Sequence, residues 1–270
     1  MQLSKAYEYA RQRLTKQHID EVDFKALCLV CSMAGIRNSE FRFHQDDDIA
    51  FDETMLQLLL ENEPLQYVLG IWDFYESEFY VGKGVLIPRP ETEELVEQAV
   101  RIAESMPSPV IYDLCSGSGC IGISLAKKIK NSTVYCLEKY DDALYYLRKN
   151  ADGVGNVRVV QADIKEACDL PPADMIVSNP PYIRSKELSS LQREVQYEPA
   201  TALDGGDDGL DFYRIIYEKW CGRLKPNGAL LLEIGNEQGR AISNILADFS
   251  SVRVIKDMYQ NDRIVIAFRA

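Results

Sequence analysis

Four consecutive residues, Asn179-Pro180-Pro181-Tyr182, combine a side-chain amide with a rigid backbone. They follow the apolar stretch Asp174–Ser178, which predicts a buried strand, and open α/β sheets bind ligands at the carboxyl ends of such strands. The two prolines fix two φ angles and remove two N–H donors. The side-chain oxygen of Asn179 and the carbonyl oxygen of Pro180 can therefore present a rigid pair of hydrogen-bond acceptors.

A rigid pair of acceptors matches a planar –NH₂ group, whose lone pair is delocalised and weakly nucleophilic. Holding both hydrogens directs the nitrogen at an electrophile while its lone pair localises, so catalysis comes from positioning and electrostatics without a strong base. Tyr182 can pack against the flat face of the group. The alternative is a simple turn after a strand, for which Asn-Pro is a common signal. A glycine-rich turn elsewhere in the chain favours the functional interpretation.

That turn lies between Asp113 and Gly122, after one predicted strand and at the start of a predicted helix. Its glycines let the backbone approach a ligand closely, and the helix N-terminus offers unpaired N–H groups. The spacing of the glycines also matches the dinucleotide fingerprint, so the motif by itself leaves the ligand open. The residues that could surround a ligand here are Cys115, Ser116, Gly117, Ser118 and Gly119.

Two carboxylates favour S-adenosylmethionine over a dinucleotide as that ligand. Asp113 ends the strand before the glycines, where it could hold an ammonium group rather than a pyrophosphate. Glu138 ends the next predicted strand, 25 residues later, where it can accept hydrogen bonds from both hydroxyls of a ribose. A tight turn with no ligand is the alternative, and the strand-turn-helix context disfavours it.

Strands and helices alternate from Val110 onward, which predicts an α/β fold with a doubly wound parallel sheet. Only residues Asp257–Asp262 separate the last two strands, too few for a crossover helix, so this pair must be antiparallel. The result is a seven-stranded sheet ending in a reversed hairpin.

The predicted strands are Val110–Leu114, Thr133–Leu137, Val157–Gln161, Asp174–Ser178, Ala229–Glu233, Val252–Lys256 and Ile264–Phe268. The predicted helices are Cys120–Lys130, Asp141–Asn150, Asp211–Leu224 and Gln238–Phe249.

The N-terminal part of the chain has a different texture. Apolar residues recur at three and four positions from Met1 to about Leu60, which predicts helices, and Glu63-Pro64 is expected to end the last of them. Alternating aromatic and polar residues over Trp72–Leu86 predict a short β-hairpin or an extended linker. We therefore expect a small all-helical domain over residues 1–70, a hairpin linker over 71–90 and the larger domain over 91–270.

Composition narrows the class of protein. The net charge is −12, with −8 of it in residues 1–80, so the broad basic footprint of a nucleic-acid-binding surface is absent. No stretch reaches the roughly 18 consecutive apolar residues of a membrane span, and no apolar signal core opens the chain. We expect a cytoplasmic monomer without direct contact to nucleic acid or membrane.

Cys28 and Cys31 form a C-x-x-C within an apolar run, which indicates two core thiols of a helix rather than a metal site.

The two motifs together resemble a known enzyme class. Asp113–Gly119 is similar to the first motif of seven-stranded S-adenosylmethionine-dependent methyltransferases, and Asn179–Tyr182 to the fourth motif of those that methylate amino groups of adenine, guanine or glutamine. Further segments resemble the release factor glutamine methyltransferases, and this resemblance runs from about residue 60 to the C-terminus. These segments are 64–70, 86–93, 198–203 and 208–213.

The resemblance implies a methyl transfer to the glutamine of the Gly-Gly-Gln motif in class I peptide chain release factors. It also implies that Asn179 and Pro180 are catalytic, that Asn179–Tyr182 bind the substrate, and that Asp163, Ile164 and Asn179 join the turn residues and Glu138 around the cofactor. Three positions depart from the usual pattern. Cys115 replaces a glycine and is expected at negative φ, Glu138 replaces the commoner Asp, and Ile164 replaces an aromatic that would cover the adenine ring.

Other functions remain open at this level. A glutamine methyltransferase acting on a ribosomal protein would use the same four-residue motif. An adenine amino-methyltransferase of DNA or RNA would also use it, but the chain has no stripe rich in Lys and Arg. A nicotinamide dehydrogenase lacks a visible proton donor here, since His18 and His44 lie in the helical domain. A binding module without activity is disfavoured because both motifs are intact.

Overall fold

The computed structural model describes residues 1–166 and 168–270, which divide into two units. The first unit contains Met1–Ile71 together with Gln192–Tyr197, and the second contains Trp72–Leu191 and Glu198–Ala270. The boundary lies one residue beyond the predicted end of the helical domain. The return of residues 192–197 to the first unit has no counterpart in the sequence patterns.

Helices form the first unit. Helix α1 (Leu3–Lys16) buries its residues at three- and four-residue spacing, and α2 (Val22–Ala34) ends at Gly35, where φ is +66°. Helix α3 (Glu53–Leu60) begins at Asp52, whose carboxylate accepts the Thr54 N–H. A short helix α4 (Leu65–Leu69) then follows, so the prediction that Glu63-Pro64 ends the helical segment was wrong. Proline suits a helix start because its missing N–H would have no partner there.

Cys28 and Cys31 are both buried in α2, as expected for core thiols. Burial raises the pKa of the Cys31 thiol to about 11. A neutral thiol in an apolar environment packs as a small hydrophobic side chain.

The second unit begins with a hairpin and a helix. Strands β1 (Ile71–Phe74) and β2 (Ser77–Tyr80) form a two-stranded sheet, which confirms the hairpin interpretation of the linker. Phe74 and Phe79 are buried edge to face. Helix α5 (Pro90–Ala103) then starts with proline at its first position, where the ring costs no hydrogen bond.

Within the described residues, seven strands form the main sheet. The strands are β3 (Val110–Leu114), β4 (Thr133–Glu138), β5 (Val157–Gln161), β6 (Ala173–Ser178), β7 (Leu224–Glu233), β8 (Ser251–Lys256) and β9 (Asp262–Phe268). Their order in the sheet is β5-β4-β3-β6-β7-β9-β8. Strands β3 to β7 are parallel, whereas β9 runs antiparallel to both β7 and β8, which confirms the doubly wound sheet with a reversed hairpin.

Helices cover both faces of this sheet. Alternate residues of β3, such as Ile111 and Tyr112, enter different core clusters, because successive side chains of a strand point to opposite faces. The remaining helices are α6 (Cys120–Lys128), α7 (Asp141–Ala151), α8 (Asp211–Ile215) and α9 (Gly239–Ile245). Helices α5, α6 and α7 pack in one cluster, and α8 and α9 pack in the other. None of the helices in the described residues has the length and apolar character needed to cross a membrane.

The helix predicted over Asp211–Leu224 is not uniform. After α8 the chain forms a π-helical turn over Ile216–Trp220 and a 3₁₀ turn over Cys221–Arg223. Ile216 and Trp220 are both buried against the sheet. The hydrogen-bonding pattern changes within this segment while its apolar face stays on the core, and periodicity alone does not predict such a change.

The order of the strands creates a switch point between β3 and β6. From β3 the chain proceeds outward to β4 and β5, and then returns to β6 on the other side of β3. Leu114 and Ser178, at the carboxyl ends of these neighbouring strands, are paired, and the Ser178 hydroxyl donates to the Leu114 carbonyl over 2.6 Å. The loops that follow therefore diverge from adjacent points, which opens a crevice.

Candidate active site

The glycine-rich turn leaves β3 through left-handed backbone. Cys115, Gly117 and Gly119 have φ of +59°, +55° and +82°. The expectation of negative φ at Cys115 was therefore wrong. The left-handed residue lets the chain reverse so that the Ser116 N–H reaches the Leu137 carbonyl of β4 over 3.0 Å. For a residue with a Cβ this conformation costs about 1–2 kcal/mol.

Asp113 lies behind this turn. Its side chain is fully buried, its Oδ2 accepts the Gly122 N–H over 3.0 Å, and its Oδ1 has no partner among the described residues. A Cβ on Gly122 would lie 2.8 Å from Oδ2, so only glycine lets helix α6 approach this closely. Burial raises the pKa of Asp113 to about 7. Its Oδ2 thus supports the turn from the helix side, and direct contact of Asp113 with a ligand's ammonium group stays a prediction.

Glu138 links the end of β4 to the glycine-rich turn. Its Oε2 accepts the Gly117 N–H over 2.9 Å, and its Oε1 accepts the N–H groups of Lys139 and Tyr140 over 2.7 and 2.9 Å. A carboxylate offers about four acceptor positions, so these three contacts leave capacity for a ligand hydroxyl. Three backbone donors also fix the orientation of the carboxylate before any ligand arrives.

Asp163 and Ile164 follow β5 on the same side of the sheet. Burial opposes ionisation of Asp163, but the Lys165 N–H and the Lys139 ammonium outweigh it and lower its pKa. The Lys139 Nζ lies 2.9 Å from Asp163 Oδ2. Ile164 is buried, and its carbonyl accepts the indole N–H of Trp220 over 2.8 Å. The site therefore combines an ionised carboxylate with a fixed apolar surface.

Asn179 follows β6 and is held by a chain of buried side chains. Its Nδ2 lies 3.2 Å from the Thr92 hydroxyl, which in turn lies 2.6 Å from Oε2 of Glu233. Thr92 comes from the first turn of α5, and Glu233 ends β7. Burial raises the pKa of Glu233 to about 7. Because the amide nitrogen of Asn179 faces Thr92, its oxygen faces away from Thr92.

Pro181 and Tyr182 complete the segment. Pro181 is buried, and the Tyr182 carbonyl accepts from the Gln238 side chain over 3.1 Å. Burial raises the pKa of Tyr182 to about 12, so its ring remains neutral. A Cβ on Gly205 would lie 2.7 Å from the Tyr182 Cα, which indicates how tightly this backbone is packed.

An ion pair between the partly exposed Arg89 and the buried Glu198 stabilises the segment before α5. Glu198 accepts from the Arg89 guanidinium with Oε1 and from the Ile87 N–H with Oε2 over 2.9 Å. Burial raises the pKa of Glu198, although the Arg89 charge opposes this shift. The pair joins two segments that are far apart in sequence, 86–90 and 198–202, at one cavity.

That cavity contains most of the predicted site. It encloses about 960 Å³, part of it open to solvent, and lies entirely within the second unit. Its walls include Cys115, Ser116, Gly117, Ser118, Glu138, Asp163, Ile164, Asn179 and Pro181. The wall residues do not include four predicted site residues, namely Asp113, Gly119, Pro180 and Tyr182.

Sequence reasoning assigned no role to Thr92, Arg89, Glu198 or Glu233. Thr92 and Arg89 contribute to the cavity wall, while Glu198 and Glu233 bind them from behind. One signal was available for Glu233, because it is an acid that ends an otherwise apolar strand at the ligand-binding edge of the sheet.

Comparison with known proteins identifies the family. A release factor glutamine methyltransferase of Thermodesulfovibrio yellowstonii is 38% identical over 221 residues, which cover 79% of each chain. This chain belongs to the release factor glutamine methyltransferase family. Family members from Geobacter sulfurreducens and Bacteroides thetaiotaomicron are 32% and 34% identical and each align with 97% of this chain, covering 95% and 98% of their own lengths.

Family models and a solved structure agree with this assignment. The PrmC N-terminal domain matches residues 5–70, and the Methyltransferase small domain matches residues 95–207. The crystal structure of precorrin-6y C5,15-methyltransferase from Geobacter metallireducens superposes with a TM-score of 0.50 at 17% identity, covering 71% of this chain and 94% of that one. This likeness shows the methyltransferase fold. The predicted family, fold and enzyme class are confirmed.

Proposed function

We propose that this enzyme transfers the methyl group of S-adenosylmethionine to the side-chain amide nitrogen of the glutamine in the Gly-Gly-Gln motif of class I release factors. One observation carries the proposal. Asn179 lies in the wall of the same cavity as the glycine-rich turn, directly after β6, the strand that pairs with β3, which precedes that turn. The relatives of this chain are release factor glutamine methyltransferases, which supports the choice of a glutamine in a release factor.

The donors and acceptors of the cavity fit S-adenosylmethionine. Glu138 would accept the ribose hydroxyls, and Ile164 would cover the adenine ring, with Asp163 beside it. Cys120 and Ile121, the first residues of helix α6, line the wall. The unpaired N–H groups of a helix start would suit the carboxylate of the cofactor there. The Ser118 hydroxyl, buried without a partner among the described residues, offers one further polar contact. When bound, the cofactor would supply an electrophilic methyl group and leave as the demethylated thioether. The substrate nitrogen, which gains the methyl group, would release one of its two protons to water.

The protein would act on the substrate amide by positioning it. The oxygens of Asn179 and Pro180 would accept the two N–H bonds of the glutamine side chain, which directs the nitrogen into the cavity and favours localisation of its lone pair. Pro181 and Tyr182 would pack beside the flat amide. Apolar wall residues, among them Val85 and Leu86, would limit the access of water to the reacting group.

A transfer assay tests this function. The purified chain is incubated with radiolabelled S-adenosylmethionine and, separately, with a class I release factor, ribosomal proteins, DNA and RNA. We expect label in the release factor, and much slower labelling with the Asn179→Ala variant. Label in a ribosomal protein would identify the rival glutamine methyltransferase, and label in nucleic acid would identify an adenine methyltransferase. Either result would overturn the proposal.

The proposal also includes the state in which the enzyme works. We propose a cytoplasmic monomer that binds its protein substrate without direct contact to nucleic acid, in keeping with its net charge of −12. Sedimentation equilibrium at micromolar concentration should give the mass of one chain, 30.7 kDa. A stable dimer would contradict this part.

A further inference from the structure

A buried relay connects Glu233 through Thr92, a residue of the cavity wall, to the side chain of Asn179. Thr92 and Glu233 are 2% and 1% exposed, so bulk water does not compete for their hydrogen bonds. The links are Asn179 Nδ2 to Thr92 Oγ1, at 3.2 Å, and Thr92 Oγ1 to Glu233 Oε2, at 2.6 Å. Neither Thr92 nor Glu233 has a role in the mechanism described so far.

The relay has a direction, because a hydroxyl carries only one hydrogen. An ionised Glu233 can only accept, so Thr92 must donate its hydrogen to the carboxylate. The Thr92 oxygen can then only accept, which requires the –NH₂ end of the Asn179 amide to face it. The oxygen of that amide is thereby turned away from Thr92 and is available to a substrate in the cavity.

A protonated Glu233 removes this constraint. The carboxyl group can then donate to Thr92, and Thr92 can donate to the oxygen of Asn179 after the amide has rotated by half a turn. The –NH₂ group of Asn179 would then face the –NH₂ group of the substrate amide, and neither group can accept a hydrogen bond from the other. The same three side chains can therefore hold the Asn179 amide in either of two orientations, one with its oxygen towards the substrate and one with its nitrogen towards the substrate. The protonation state of Glu233 determines which orientation is adopted.

We propose that Glu233, acting through Thr92, is a positioning residue that keeps the Asn179 oxygen directed at the amide to be methylated. This inference rests on the proposed role of Asn179 as an acceptor. Glu233 touches neither the substrate nor the cofactor, so its effect on the rate passes entirely through the orientation of Asn179.

The surroundings of Glu233 make its proton sensitive to pH near neutrality. Burial raises its pKa to about 7, while the Thr92 hydroxyl and the Arg263 charge oppose the shift. Arg263 is itself paired with Asp257 over 3.1 Å. The other charged or titratable groups that face Glu233 are Glu91 and Arg89 at the start of α5, Cys120 of α6, Tyr182, and Tyr213, whose hydroxyl donates to the Glu233 carbonyl.

Three variants separate positioning from a merely structural role. Thr92→Val keeps the shape and removes the relay, so kcat should fall roughly tenfold or more while cofactor affinity changes little. Thr92→Ser restores the hydroxyl and should recover most of that loss. Glu233→Gln should lower kcat. In wild type, kcat should decrease below about pH 7 as Glu233 becomes protonated, and this decrease should be absent in Glu233→Gln. The pKa of Asp113 is also about 7. The pH effect is therefore assigned to Glu233 only by the difference between the Glu233→Gln and wild-type profiles.

A second readout needs no substrate. The side-chain ¹⁵N resonance of Asn179, identified by its loss in Asn179→Ala, is followed between pH 5 and 9 in the full chain. We expect a shift in wild type and Thr92→Ser, with its midpoint at the titration of the Glu233 carboxyl measured by ¹³C. No such shift should occur in Glu233→Gln or Thr92→Val. Melting temperatures of all variants verify that they are folded.

The two readouts distinguish the outcomes. A pH-independent Asn179 resonance in wild type, or a titration unchanged in Glu233→Gln, would overturn the relay whatever the substrate proves to be. If the resonance behaves as expected but no release factor is methylated, the relay stands and the proposed function fails. Equal kcat in Thr92→Val and wild type on an active substrate would show that the relay does not govern the rate.

Discussion

At the scale of single residues, Asn179 has a different partner at each end of its amide. Its nitrogen is committed to Thr92, over 3.2 Å, and its oxygen is left for a ligand in the cavity. Glu138 shows the same division, because three backbone N–H groups hold the carboxylate while part of its acceptor capacity remains. Both side chains are oriented before a ligand arrives, which avoids the cost of ordering them during binding.

Asn179→Ala removes one acceptor of the pair that holds the substrate amide. We expect a loss of about 2–4 kcal/mol in transition-state stabilisation, measured as the fall in kcat on a release factor. Cofactor affinity, measured by calorimetry, should fall much less than the rate. Near-normal turnover by this variant would refute the positioning mechanism.

Glu138→Ala removes a carboxylate that we assign to the ribose. Charge-assisted hydrogen bonds of this kind contribute roughly 1.5–3 kcal/mol each, so S-adenosylmethionine should bind at least tenfold more weakly. Part of the effect arises from the Gly117 N–H, which loses its acceptor. Glu138→Gln serves as the control, because its amide oxygen can still accept from the turn. An unchanged dissociation constant in Glu138→Ala would place the ribose elsewhere.

Site residues that were predicted from the sequence are recognisable from their immediate neighbours, whereas those that were missed depend on partners far away in the chain. Asn179 and Glu138 stand at the ends of apolar runs, a position that marks the ligand-binding edge of a sheet. Thr92 meets its partners across 87 and 141 residues, and Arg89 meets Glu198 across 109. Such contacts depend on how the elements pack, which one sequence does not reveal. The orientation of Asp113 likewise depends on the close approach of α6.

At the scale of elements, the turn between β3 and α6 combines several unfavourable features. Cys115 adopts left-handed backbone, and Asp113 is a buried carboxylate with one oxygen unpartnered among the described residues. Strain of this kind persists only where the surrounding structure enforces it, and it concentrates at functional sites. The turn therefore trades stability for a backbone that lies close to the cavity.

The Asp113→Asn variant tests how much stability the buried carboxylate costs, through the pH dependence of the free energy of unfolding. The pKa of Asp113 is about 7 in the folded protein and 3.8 by its ordinary value, so between these values the folded state retains a proton that the unfolded state has lost. Stability must then fall as pH rises from about 4 to about 7. The amide cannot ionise, so the variant should be more stable than wild type at pH 8 by about 2–4 kcal/mol.

Urea unfolding at pH 5 and pH 8 measures this difference. The variant should lose less stability than wild type between the two values, although Glu233 contributes a slope of the same sign in both proteins. An equal loss in wild type and variant would mean that Asp113 is ionised in the folded state.

The elements themselves were largely predictable, for identifiable reasons. The six residues between the last two strands were too few for a crossover helix, and this loop length alone implied the reversed hairpin. The π-helical turn at Ile216–Trp220 was not predictable, because both residues stay on the apolar face that an α-helix would also bury. Helix α4 was missed because Pro64 was interpreted as an end rather than a start.

At the scale of the whole molecule, charge is distributed unevenly. Residues 1–80 carry −8 of the total −12. Release factors approach ribosomal RNA, so the region around their catalytic glutamine is expected to present a basic surface. We infer that the acidic N-terminal region accelerates encounter with this partner, since charge complementarity acts mainly on association rates.

Salt should therefore slow the reaction at limiting release factor and leave the rate at saturation nearly unchanged, because screening acts over about 8 Å at physiological ionic strength. Neutralising Asp46, Asp47 and Asp48, which are all exposed, should flatten this dependence. Neutralising the exposed Glu104, Asp152 and Glu218 of the second unit removes the same charge and should leave it steep. Identical salt dependence in both triple variants would mean that the N-terminal acids serve only solubility.

Mass spectrometry of a methylated release factor tests the central claim most directly. The wild-type chain, S-adenosylmethionine and an unmethylated class I release factor are incubated together, and the modified peptide is sequenced by fragmentation. The account predicts one added methyl group on the side chain of the glutamine in Gly-Gly-Gln, and a far smaller methylated fraction at the same time point when Asn179→Ala replaces the wild type. A methyl group on any other residue, or an unmodified release factor beside a methylated ribosomal protein or nucleic acid, would contradict it.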